Sequence, residues 1–210
     1  MMGRPVRIRP GLALAAVWLA GFVVIGLVLA RVASSPGSTT GPATVSSTLA
    51  SSGDPVGQVQ AIAESKRVLA ATIGGRLIGG GSYDPAASVG HITVVTAWAS
   101  WCQPCRKELP ELRRLALASY ASPVVFVGLD EEEASMANGV AMAQRYGLPY
   151  SSIFDPDKGI YLALAPAIAP DGVPGTVVID SRGRVAATVI GAIDEAQLSR
   201  FLQALAAQRA

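Results

Sequence analysis

The chain has 210 residues, with 17 Lys and Arg against 15 Asp and Glu and a single His, for a net charge of +2. Half of the residues are hydrophobic and 15% are charged, so one domain of ordinary size can bury a core and leave an appendage. The basic residues are scattered and nearly balanced, which excludes the concentrated positive patch of a nucleic-acid binder.

The appendage comes first. Gly11 to Ala30 reads GLALAAVWLAGFVVIGLVLA, twenty residues without a charge or a polar face. As a helix this run spans about 30 Å, the thickness of the hydrocarbon core of a bilayer. Arg4, Arg7 and Arg9 precede it, and after Arg31 the next basic residue is Lys66. The positive-inside rule then puts residues 1–33 down as a cytoplasmic N-terminus and transmembrane anchor, with everything beyond outside the cytoplasm. A cleaved signal peptide, cut after Val28-Leu29-Ala30, is the rival reading, and the length of the run favours an anchor. The absence of a cysteine near its end excludes a lipoprotein. Residues 34–57, SSPGSTTGPATVSSTLASSGDPVG, are rich in Ser, Thr, Gly and Pro and read as a flexible linker.

Residues 58–210 carry the folded domain. Val59 to Ala70 predicts a short helix, and ATIGGRLIGGG a turn with a short strand. Ile92 to Ala99, ITVVTAWA, is a continuous apolar and β-branched run, the pattern of a buried strand. Cys102 to Leu117 has helical spacing, with Leu109, Leu112 and Leu115 on one face. Pro123 to Leu129 predicts a second buried strand, and Asp130 a helix cap with Glu131, Glu132 and Glu133 in the first turn. That helix ends at Tyr146-Gly147. A short strand over Ser151 to Phe154, a DPDKG turn and a brief helix around Ile160 to Leu164 follow. Thr176 to Ile179 and Arg184 to Ile190 are joined too tightly for a crossover and must pair antiparallel, before Asp194 caps a last helix. The fold class is α/β: a mixed central sheet with helices on both faces.

Trp101-Cys102-Gln103-Pro104-Cys105 holds the only two cysteines, at the junction of a buried strand and a helix. Residues three apart on a helix are neighbours, close enough for a disulfide after a small adjustment. Pro104 is tolerated in the first turn, where its missing N–H has no partner to lose. The helix N-terminus favours a thiolate: a cysteine at pKa ~8.5 is about 3% ionised at neutral pH, and one at ~7 about half. Cys102 is therefore the candidate nucleophile and Cys105 the resolving thiol. A zinc site and a purely structural disulfide are the other readings. Zinc asks for three or four protein ligands, and beyond the two cysteines the chain offers one histidine, His91, at the start of a strand. A structural disulfide closing so short a loop adds little.

At these residues the chain resembles the TlpA/ResA-like thiol:disulfide oxidoreductases of the thioredoxin-fold superfamily, over roughly residues 75–207. The likeness rests on AWASWCQPCRKELP, the DPDKG turn, GVPGTVVID and the closing RGRV strand with its helix. It implies a thioredoxin-like fold in which Pro174 is a cis-proline facing the cysteines. Val173 would then pair with an extended substrate beside Cys102, with Trp101, Gln103 and Pro104 forming the partner surface. Glu108, three residues after Cys105, matches an acidic residue that serves the proton balance of ResA-like sites; a solvated helix carboxylate is the alternative. Thr96 stands where thioredoxins proper carry a buried Asp. The resemblance further implies no cofactor beyond the Cys102–Cys105 redox couple, a monomer, protein thiol or disulfide substrates such as apocytochrome c, and a transmembrane thiol carrier as electron donor. Oxidation of secreted thiols would use the same residues in reverse. Peroxide reduction is disfavoured by Ala99, where that chemistry needs Thr or Ser, and a copper chaperone by the position of His91.

Overall fold

The computed structural model describes residues 57–164 and 172–208. The anchor expected at residues 1–33 and almost all of the linker lie outside the described residues. Among those described, no helix is long and apolar enough to cross a membrane. Gly57, read as the last linker residue, is buried and donates its N–H to the Ala192 carbonyl.

Among the described residues eight strands form: β1 (Gln60–Ala61), β2 (Gly75–Arg76), β3 (Ser82–Tyr83), β4 (Ile92–Trp98), β5 (Val124–Glu131), β6 (Ser152–Asp155), β7 (Gly175–Ile179) and β8 (Val185–Ile190). Among the same residues four α-helices accompany them: α1 (Gln103–Ala118), α2 (Met136–Tyr146), α3 (Gly159–Leu164) and α4 (Glu195–Ala207). Six strands make one sheet in the order β1-β8-β7-β4-β5-β6, and β2 and β3 form a separate hairpin. β4 is central: it pairs parallel with β5 and antiparallel with β7, and every one of its residues is buried. A strand covered on both faces has no solvent side to alternate with, which is why its sequence is apolar throughout.

One face of the sheet packs Val94, Trp98, Phe126 and Val178 against Leu109, Leu112 and Leu115 of α1, Met142 of α2 and Leu198, Leu202 and Leu205 of α4. The other face packs Val95, Val127, Ile153 and Val177 against Tyr161 and Leu164 of α3 and Ile73. α2 ends on Gly147 in the left-handed region (φ 58°), where Leu148 closes the helix by donating to the Ala143 carbonyl. Asp194 caps α4 by accepting from Gln197 N–H. This is the thioredoxin-like arrangement that the resemblance implies.

Two expected elements differ. The helix over Val59 to Ala70 is instead β1 followed by a single 3-10 turn at Glu64–Lys66. β8 would otherwise end the sheet with an unpaired edge, and residues 60–61 fill it. Arg67 then reaches back to the Ile62 carbonyl and across to Asp180, holding the segment extended. Nor does Asp130 cap a helix: β5 runs on to Glu131, and α2 starts six residues beyond Asp130, at Met136. The ladder itself causes this. Trp98 pairs with Asp130 and Asp155 with Glu131, so both carboxylates are carried into the sheet, and the chain turns only at Glu132 (φ 49°).

Candidate active site

Beyond Trp98 the chain leaves the sheet through Ala99, Ser100 and Trp101 and enters α1 with Cys102 as its N-cap. Cys102 and Cys105 form a disulfide, with their Cα atoms 5.3 Å apart. The Cys105 N–H donates to Cys102 Sγ at 3.1 Å, so the sulfur occupies the place of a capping oxygen at the positive end of the helix. Cys105 is fully buried and Cys102 3% exposed. Gln103 is exposed and Pro104 partly so. Trp98 lies inside the core, whereas Trp101 is 53% exposed and donates its indole N–H to the Glu132 carbonyl at 3.2 Å.

The loop bearing the first cysteine is fixed at Ser100. Its N–H and hydroxyl both donate to the Glu133 carboxylate, and its carbonyl accepts from Arg106 Nε and Nη2 at 3.1 and 2.6 Å. The sequence does not point to this clamp, because Glu133 reads there as a charge suited to a helix N-terminus. Asp130 is fully buried with both carboxylate oxygens unpartnered among the described residues; burial, and then the charge of Glu133, push its pKa up to about 8. Burial, then the charge of Asp155, push Glu131 up to about 8 as well.

Glu108 sits one turn beyond Cys105 and is only 2% exposed, so it is not a solvated helix carboxylate. Its Oε1 accepts from Ile193 N–H at 2.9 Å, while Oε2 has no partner among the described residues. Burial raises its pKa to about 8; the Ile193 hydrogen bond opposes the rise, and Glu111 adds to it. Tyr150 holds a buried hydroxyl that burial, and then the charge of Glu108, keep protonated. Thr96, the residue standing where thioredoxins proper carry Asp, is buried opposite Thr176.

The Val173–Pro174 peptide bond is cis, at the entry to β7, the strand adjacent to β4. Val173 is half-buried. Two contacts seen only in the structure hold this turn: Tyr161 Oη donates to the Gly172 carbonyl at 2.9 Å, and Gly191 N–H donates to the Pro174 carbonyl at 2.9 Å. Gly191 takes φ 88°, a conformation that favours glycine, and this was the one sequence signal for the loop. His91 is exposed and precedes β4 at the end opposite the cysteines, roughly 20 Å away along the strand. Among the described residues no group of three or more His, Cys, Asp or Glu is placed to hold a metal ion.

Known proteins resemble this chain in sequence and in fold. The family model described as Redoxin matches residues 76–205. The thiol:disulfide interchange protein DsbE of Allochromatium vinosum is 32% identical over 127 residues, covering 57% of this chain and 62% of that protein. The thiol-disulfide oxidoreductase ResA of Bacillus cereus is 30% identical over 106 residues, covering 50% and 58%. The thiol:disulfide interchange protein HelX of Rhodobacter capsulatus is 31% identical over 119 residues, covering 56% and 62%. The chain thus spans about three fifths of the length of these curated relatives. A crystal structure of a DsbF homologue from Corynebacterium diphtheriae superimposes with a TM-score of 0.65 at 24% identity, over 70% of this chain and 92% of that one. A secreted thiol-disulfide isomerase from Corynebacterium glutamicum gives 0.67 at 22%, over 71% and 92%.

Proposed function

The chain belongs to the redoxin family, and on that premise we propose that it is a thiol:disulfide oxidoreductase that reduces protein disulfides outside the cytoplasm. The observation that carries this reading is a cysteine at a helix N-terminus, disulfide-linked to a buried cysteine one turn on, in a domain whose neighbouring strand opens on a cis-proline. The names of the DsbE, ResA and HelX relatives support the reaction type.

In the dithiol form the Cys102 thiolate, favoured by the free N–H groups of α1, attacks a substrate disulfide and expels one substrate thiolate. Cys105 loses its proton and attacks Cys102 Sγ, closing the Cys102–Cys105 disulfide and expelling the second substrate thiolate. Two electrons pass from the dithiol to the substrate. Glu108, whose pKa burial raises to about 8, takes up the Cys105 proton when it is ionised, so this step speeds up as pH rises towards 8, and it returns the proton when the disulfide is next reduced. The cis-proline offers no N–H to compete for the thiolate, and the backbone at Val173 pairs with the extended substrate. Trp101, Gln103 and Pro104 complete the docking surface.

In this reading residues 1–33 anchor the protein and the linker holds the domain off the membrane, where thiols are oxidised unless something re-reduces them. A transmembrane thiol carrier supplies that reduction, and apocytochrome c cysteines awaiting haem are the substrate that the ResA-like resemblance suggests. The domain acts as a monomer, with no cofactor beyond its own cysteines. In cells, Cys105→Ser in the full chain is expected to trap a thiol-bearing partner on Cys102, released by dithiothreitol. A Cys102 thiol that, in the reduced protein, resists alkylation at about pH 6.5, where an unperturbed thiol is under ~1% ionised, sinks the proposal.

A further inference from the structure

The seam between α1 and α2 carries three guanidinium groups, which hydrogen-bond backbone carbonyls or lie over a ring and pair with no carboxylate among the described residues. Arg106 and Arg113 lie seven residues apart on α1, two turns along one face. Arg145 approaches from the last turn of α2. Between the helices is a groove of about 280 Å³ lined by Ser100, Arg106, Asn138, Met142, Arg145 and Tyr146. Arg106 donates to the Ser100 carbonyl, Arg113 donates to the Gly147 carbonyl at 3.1 Å, and the Arg145 guanidinium lies 5.9 Å from the Tyr146 ring centre. None of the three meets a carboxylate among the described residues. Other arginines of the domain do: Arg114 pairs with Glu195 at 2.6 Å, Arg182 with Glu64 at 2.9 Å, and Arg184 with Asp180 at 2.9 Å. Glu133, which binds the groove-lining Ser100, is buried and already takes the Ser100 N–H and hydroxyl.

The groove begins at the active-site loop, because Ser100 is two residues before Cys102 and Arg106 follows Cys105. It also has a definite side. α2 is the crossover between the parallel strands β5 and β6, and β5 flanks β4 on the side away from β7 and Pro174. A substrate chain lying across Cys102 therefore has the cis-proline on one flank and the guanidinium seam on the other.

Resting on the dithiol reading above, we infer that this seam is a second substrate contact, selecting protein disulfides whose reacting cysteine is flanked by Asp or Glu on the side away from Val173. Guanidinium groups bind carboxylates in a planar, two-pronged fashion, and a charged rim acts chiefly by raising the rate of productive encounter.

The test uses the reduced full-length chain and two synthetic peptides, each with one intramolecular disulfide and identical except for a flanking Glu-Glu or Lys-Lys pair. Uncharged bis(2-hydroxyethyl) disulfide is the third substrate. At about 0.02 M salt the acidic peptide is expected to react roughly tenfold faster than the basic one, and the ratio to fall below about twofold at about 0.5 M salt. Arg145→Glu combined with Arg113→Glu is expected to abolish or invert the preference. The same charge change at exposed Arg200 on α4 is expected to keep it. Reduction of all three substrates with equal peptide rates at low salt overturns the groove and leaves the dithiol reading standing, as does a preference that survives the double substitution. Failure to reduce any of the three overturns the dithiol reading and the groove with it.

Discussion

Replacing Glu108 by Gln keeps the shape of a buried side chain and removes its charge. In the folded protein the Glu108 carboxyl holds its proton up to about pH 8, against an ordinary value of 4.5 in the unfolded chain. Each unit of difference corresponds to 1.36 kcal/mol, so this one group carries about 5 kcal/mol of pH-dependent stability at most, and water entry and relaxation reduce it. The sign follows from proton counting. Between the two values the folded state binds the proton and the unfolded state does not. The stabilisation is therefore fully present below about pH 4.5, lost progressively as pH rises to about 8, and constant above. Gln does not titrate and still accepts from Ile193 N–H through its carbonyl oxygen. The stability of Glu108→Gln relative to wild type is thus expected to rise by at least ~2 kcal/mol between about pH 5 and about pH 9. Urea unfolding of the oxidised full-length chain at each pH measures the difference, with the unfolding slope as the control on denatured-state effects. A difference that stays constant within about 0.5 kcal/mol across that range refutes the reasoning, because a solvated Glu108 gives that result.

Gly139→Ala drives a Cβ into the buried Asp130 carboxylate, against both Oδ2 and Cγ. It is expected to cost about 1–3 kcal/mol in urea, and Asp130→Ala in the same chain to recover part of the loss, which a double-mutant cycle reads directly. Trp101→Ala removes a half-exposed side chain, so stability is expected to change by less than about 0.5 kcal/mol. Turnover of a protein disulfide is expected to fall more than that of bis(2-hydroxyethyl) disulfide, and equal losses on both would remove Trp101 from the docking surface.

Elements with a local cause could be read from the sequence. The apolar run at Ile92 to Ala99, the Cys102 cap, Gly147 and Asp194 each specify their structure within a few residues, and the strand, helix start, helix stop and second cap all form where expected. Features with a distant cause could not. Asp130 and Glu131 satisfy the local rule for a helix start, yet the ladders from Trp98 and Asp155 override it and draw them into the sheet. β1 has only two residues and exists because β8 offers an edge more than a hundred positions away. The spacing of Glu108 from Cys105 put it on the right helical face, but its burial depends on Ile193, 85 positions on. The Ser100–Glu133 clamp joins residues 33 positions apart, and the local reading of the acidic run as helix N-terminal charges hides it.

The helix that carries the disulfide and the cis-proline turn come from distant parts of the chain, yet one loop bonds to both. Gly191, Ala192 and Ile193 form it. Gly191 donates to the Pro174 carbonyl, the Ala192 carbonyl accepts from Gly57, and Ile193 donates to Glu108. Three consecutive residues thus tie the cis-proline turn, the first described segment of the domain and the helix that carries the disulfide. A hydrogen bond to a carboxylate is stronger than one to a neutral carboxyl. Loss of the Glu108 proton therefore tightens the grip of α1 on the same loop that supports Pro174. Glu108 of α1 and the Val173–Pro174 turn are linked through that loop, and a substitution at either end is expected to be felt at the other.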